Sequence, residues 1–98
     1  MKKLLIYSLL LSSLLFADND GATVYKQCAG CHGKHGEKQA IGRSAIITKQ
    51  SPKLTIKQLK AYKAGTLNLH GMGAVMKKNV AKLSNAEIKA VANYISHL

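Results

Sequence analysis

Acidic side chains are scarce in this chain: 4 Asp and Glu stand against 15 Lys and Arg in 98 residues, for a formal net charge of +11. Tryptophan is missing, proline occurs once (Pro52), and there are two cysteines, Cys28 and Cys31. No internal repeat is present, and no stretch alternates apolar and polar residues as a half-buried strand does. Without strand patterning the fold class is all-α. The length admits one small domain. It excludes a doubly wound dinucleotide fold, a barrel enzyme and any architecture with separate substrate and cofactor domains. Zinc normally needs four ligands, and the remaining histidines (His35, His70, His97) are too scattered to supply a second pair at finger spacing. The basic charge lacks the arginine and aromatic pattern of a nucleic-acid module. An apolar fraction of 47% excludes simple disorder.

Part of that apolar fraction sits in one block at the start. Met1-Lys2-Lys3 is basic, Leu4 to Phe16 is apolar apart from three serines, and Ala17 precedes the polar run Asp18-Asn19-Asp20. These are the parts of a secretory signal, expected at residues 1–17 with cleavage after Ala17. The rival is an uncleaved anchor, but Leu4 to Ala17 as a helix reaches roughly 21 Å, short of a hydrocarbon core of roughly 30 Å. No cysteine sits at the cleavage site to take a lipid. Cleavage leaves a domain at 18–98, 81 residues with a net charge of +9. Export makes nucleic acid a poor explanation for the basic charge. A domain this small commonly needs a disulfide, a metal or a cofactor to hold it together.

Three helices are expected after the leader. Asp20 to Gln27 starts at a polar cap and places Val24 and Cys28 four apart. Gly30 to Ser51 carries four glycines and reads as loop, with Pro52 as punctuation. Leu54 to Ala64 is helical, stopped by Gly65. Thr66 to Gly73 returns to loop. Ser84 to His97 has the clearest signal. Ser84-Asn85-Ala86-Glu87 has the form of a capping box, and Ile88, Val91, Ala92 and Ile95 make one apolar stripe.

Cys28-Ala29-Gly30-Cys31-His32 carries the chemistry. Two thiols three positions apart can add to the two vinyl groups of one haem, and the adjacent histidine can then reach the iron. Export alone would favour a disulfide. A redox-active pair needs a strand–helix setting that is missing here. Haem c, with Cys28 and Cys31 as thioethers and His32 as an axial iron ligand, is the reading that uses all three residues.

The second axial position has five candidates: Met72, Met76, His35, His70 and His97. His35 is too near His32 in sequence to reach the opposite haem face, and His97 lies near the terminus. The segment holding His70, Met72 and Met76 can cross that face. A methionine thioether favours ferrous iron and raises the potential.

At these residues the chain resembles the small monohaem class I cytochromes c, most closely the bacterial c-553 type. Asp20-Gly21-Ala22-Thr23-Val24-Tyr25-Lys26-Gln27-Cys28 looks like the family's helix leading into the haem motif. Ala74 to Ser84 looks like its ligand loop, and Glu87 to Ile95 like its last helix. The resemblance implies three to four helices around one covalently attached haem, and it selects Met76 over Met72 as the distal ligand. It implies that the first and last helices cross, with Gly21 and Val24 or Tyr25 meeting the region of Tyr94. Many members have a proline soon after the motif whose carbonyl orients the ligand histidine. Gly42-Arg43-Ser44-Ala45-Ile46-Ile47 has none, although some carbonyl there is still expected to accept the His32 Nδ1–H.

With His32 and Met76 both bound, the expected activity is electron transfer without catalysis or a small-molecule substrate. A monomer would carry electrons between a quinol-oxidising complex and a terminal oxidase or peroxidase. Lys53, Lys57, Lys60 and Lys63, with Lys77, Lys78 and Lys82 beside Met76, are expected to ring the haem edge and steer acidic redox partners.

Overall fold

The computed structural model describes residues 20–98. The expected leader at 1–17 and its cleavage point lie outside the described residues. Among them the chain forms four α-helices and no strand: α1 (Gly21–His32), α2 (Pro52–Ala64), α3 (Gly73–Val80) and α4 (Asn85–Ser96). Two short 3-10 turns, Ala40–Gly42 and Leu69–Gly71, precede α2 and α3. No helix of the described residues is long and apolar enough to cross a membrane.

Local chemistry sets the helix ends. The Asp20 carboxylate accepts from the Ala22 N–H at 3.2 Å and starts α1. Ser51 caps α2 through the Leu54 N–H, and Pro52 occupies the first helical position, where its missing N–H costs nothing. The proline therefore opens the helix, two residues before the expected start at Leu54. Gly65 ends α2 in the left-handed conformation at φ 78°. Ser84 and Glu87 form both bonds of the capping box, at 3.1 and 3.0 Å.

The core lies where α1, α2 and α4 meet. Ile88 and Val91 of α4 are completely buried and pack with Val24, Tyr25, Tyr62, Val80, Leu83 and Ile95. The expected crossing of the first and last helices is present. A Cβ on Gly21 would lie 2.3 Å from the Ala90 carbonyl oxygen and 2.7 Å from Tyr94 Cβ, so the backbones touch only because Gly21 has none. Next to it the Tyr25 and Tyr94 rings pack with centroids 5.5 Å apart and planes tilted by 42°.

Two expected loops are partly helical. α1 runs on past Gln27 through the whole Cys28–His32 motif. The segment read as a ligand loop is helix α3 from Gly73 to Val80. Gly73 starts α3 in a tight place: its N–H donates to Asn68 Oδ1 at 2.8 Å, and a Cβ would lie 2.5 Å from the Leu67 carbonyl oxygen.

Candidate haem site

The last turn of α1 presents Cys28, Cys31 and His32 to one cleft. Continuing the helix through the motif puts the two thiols three residues apart, nearly one turn, on one side. Gly33 stops the helix at φ 89°, and its N–H caps the Ala29 carbonyl at 2.8 Å. The Glu37 side chain packs close over this glycine but can move aside; it is the positive φ, a conformation other residues rarely adopt, that makes the turn away from the motif a glycine position. The turn is held from inside by the Tyr25 hydroxyl, which donates to the Gly33 carbonyl at 2.6 Å. Burial pushes the Tyr25 phenol up to about 12. Lys38 N–H donates to the His32 carbonyl at 3.0 Å and fixes the far side of the turn.

α3 contributes Val75, Met76, Asn79 and Val80 to the wall of the same cleft. Met72 lies at its N-terminal boundary, 5% exposed, and Met76 one turn on, half-buried. Both methionines line the cleft, so the structure brings both expected distal ligands to the cysteines and His32. His70 lines it too, while exposed to solvent, with a strained backbone at φ 55°. His35 and His97 do not take part. His35 is exposed beside Glu37, and His97 Nδ1 faces the Asn93 carbonyl at 2.8 Å.

The cleft encloses about 1100 Å³, open solvent at its mouth included. Its wall is mainly carbon, and no Lys, Arg, Asp or Glu is part of it. Five of the eight core-cluster residues (Tyr62, Val80, Leu83, Val91, Ile95) also line it. The hydrophobic core is thus continuous with the cleft and is completed by whatever fills it.

The chemistry of the donors suits a covalently held macrocycle with iron. Both thiols are free, and burial pushes Cys28 up to about 11. His32 is 8% exposed, and burial holds its imidazole below the usual histidine range, favouring the neutral ring a metal requires. Its Nδ1 is the one buried side-chain polar atom among the described residues without a hydrogen-bond partner. This corrects the expectation that a carbonyl of Gly42–Ile47 would accept from it. Ser44, Ala45 and Ile47 do line the cleft with His32. The segment spends its polar groups locally: Ser44 Oγ donates to the Ala45 carbonyl, and the Arg43 and Ser44 N–H groups turn back to Ala40.

The cytochrome c family model matches residues 19–98. The chain belongs to the cytochrome c family. It is similar to cytochrome c-553 of Nitratidesulfovibrio vulgaris, 37% identical over all of both chains. It is also similar to cytochrome c-553 of Helicobacter pylori, 37% identical over 100% of this chain and 99% of that protein. Cytochrome c-552 of Thermus thermophilus is 35% identical over 98% of this chain and 71% of that protein. This chain is a class I monohaem cytochrome c of the c-553 type, with one covalently attached haem c and its iron. It is a haem-based electron-transfer protein.

The lysines of this cytochrome c do not form one even ring. Lys53, Lys57 and Lys60 are exposed on the α2 face opposite Thr55, Leu59 and Tyr62, which line the cleft. Lys63 Nζ donates to the Leu83 carbonyl and braces α2 against the segment leading to α4. Lys77 reaches over the end of α2, where a Cβ on Gly65 would lie 3.1 Å from its Nζ. Lys78 and Lys82 are exposed.

Sequence reading did not single out Gln50, Thr55 and Gln58, which stand in the cleft wall. Position 55 lies four before Leu59 and seven before Tyr62. A threonine in that apolar register was the signal available.

Proposed function

We propose that this cytochrome is a periplasmic one-electron carrier, exported by cleavage after Ala17, with its domain at 18–98. Cys28 and Cys31 would hold the haem through thioethers, and His32 and Met76 would ligate its iron. The observation that carries this reading is the meeting of these four side chains, from two separate helices, in one apolar cleft. Bound haem c supplies the Fe(III)/Fe(II) couple. With His32 and Met76 both ligating, the iron would have no free position for oxygen, peroxide or a substrate, and the protein would carry electrons without acting as an enzyme. The mainly carbon wall would lower the polarity around the bound group, and a methionine thioether would favour the reduced state.

Replacement of the ligand tests the assignment. Met76→Ala lowers the midpoint potential and lets carbon monoxide bind the reduced protein; Met72→Ala does neither. The assignment fails if Met72→Ala is the variant that opens the iron.

The donor is a quinol-oxidising membrane complex, and the acceptor a terminal oxidase or peroxidase. Both present acidic surfaces to this basic monomer. Charge steers the encounter, so the second-order electron-transfer rate falls as ionic strength rises to roughly 0.5 M, where screening lengths are a few Å. A rate indifferent to salt would sink this docking mode.

A further inference from the structure

Among the polar side chains in the cleft wall, three form one connected cluster: Gln50, just before α2, and Thr55 and Gln58 on it. Gln50 Nε2 donates to Thr55 Oγ1 and to Gln58 Oε1, each at 2.9 Å. Thr55 is 4% exposed, one of two buried polar residues among the described residues, the other being His32. Gln50 and Gln58 are half-buried, and placing a buried hydroxyl and two such amides against carbon is costly unless their polar groups are used.

The donors do not balance inside the protein. Gln50 spends both amide hydrogens on its two partners. Thr55 Oγ1 accepts one of them and keeps its own hydroxyl hydrogen to give. Gln58 accepts through Oε1 and keeps its amide hydrogens. Three other polar residues of the wall are turned to backbone instead. Gln27 Nε2 donates to the Asn79 carbonyl, Asn79 Nδ2 to the Val75 carbonyl, and Ser44 Oγ to the Ala45 carbonyl. The α2 cluster therefore offers spare donors to the cleft, and no charged side chain of the wall competes with it.

Haem c bears two propionates. A carboxylate entering apolar surroundings costs several kcal/mol, which short hydrogen bonds to the charged oxygens offset. We propose that Gln50, Thr55 and Gln58 form the subsite for one haem propionate. The Thr55 hydroxyl and the Gln58 amide donate to it, and Gln50 acts as a positioning residue that holds both. The proposal rests on the cleft being the seat of the haem.

The test uses the holoprotein, with covalent haem confirmed by its pyridine haemochrome spectrum. In proton NMR of the reduced wild type, Thr55 shows nuclear Overhauser contacts to propionate methylene protons, and its hydroxyl proton exchanges slowly. In resonance Raman spectra the propionate bending mode shifts to lower frequency in Thr55→Val and in Gln58→Leu, and returns in Thr55→Ser. Gln50→Leu shifts it in the same direction. Contacts from Thr55 to haem methyl groups but not to propionates overturn the subsite while keeping the seat. Contacts from Thr55 to no haem proton overturn both. The wild-type measurement stands even if a variant does not fold.

Discussion

Tyr25 ties the core to the haem-attachment turn. Its ring packs on Tyr94 while its hydroxyl holds the Gly33 carbonyl at the end of the motif. Tyr25→Phe removes the shorter of the two hydrogen bonds to that carbonyl, leaving only the Gly36 N–H at 3.3 Å, and should cost about 1 kcal/mol in a denaturant titration at neutral pH. The bond also makes stability depend on pH. An exposed phenol titrates near 10, and burial pushes this one up to about 12. Folding thus favours the protonated phenol. Its contribution is complete below about pH 10 and is lost as pH rises through about 12. Wild-type stability should fall across that window more steeply than that of Tyr25→Phe, measured on the same holoprotein. At this scale the attachment residues were legible, because Cys28, Cys31 and His32 form a contiguous motif. The Tyr25–Gly33 bond was not, because nothing at eight residues' separation marks a phenol as partner to a carbonyl.

Among the elements, the α1–α4 crossing depends most sharply on a single residue. Gly21 lies against the backbone of Ala90 and the Cβ of Tyr94, with no room for a methyl group. Gly21→Ala must separate the helices or distort one of them, at about 1–3 kcal/mol as is typical of overpacking. A fall in melting temperature together with altered near-ultraviolet dichroism of the tyrosines would check this. The last helix was readable because its cap and its stripe agree, and the structure forms both. α3 was missed because two glycines, Gly71 and Gly73, interrupt its approach and mask an eight-residue helix. Gly71 adopts φ 71°, while Gly73 is needed for its missing side chain beside Leu67 and Asn68. One glycine serves a turn and the other serves packing, and local sequence does not tell them apart.

Over the whole molecule, the haem seat and the hydrophobic core are one region. Most of the core cluster also faces the cleft, so emptying it would expose Tyr62, Val80, Leu83, Val91 and Ile95 together. Removing the haem is therefore expected to unfold the protein. A Cys28→Ala, Cys31→Ala variant lacking haem should lose most helical dichroism and melt without a cooperative transition. A fully helical, cooperatively melting apo-protein would contradict this. The lysine distribution belongs to the same scale. Periodicity marked Lys53, Lys57 and Lys60 as one surface stripe, but only the packing of α2 shows that this stripe backs away from the cleft wall.

By itself the sequence determined the chemistry that lies within a few residues. The attachment motif, the caps at Asp20, Ser51 and Ser84, and the apolar stripe of α4 follow from short-range geometry that any helix imposes. Its charge balance determined the basic surface. Tertiary structure decided what depends on residues far apart. It brought Met72 and Met76 into one cleft with His32, left the His32 Nδ1 without a partner, and joined Gln50, Thr55 and Gln58 in the cleft wall. The physical reason is that close packing and the pairing of buried donors with acceptors are set by which helices meet. That choice belongs to the whole chain folded around its core.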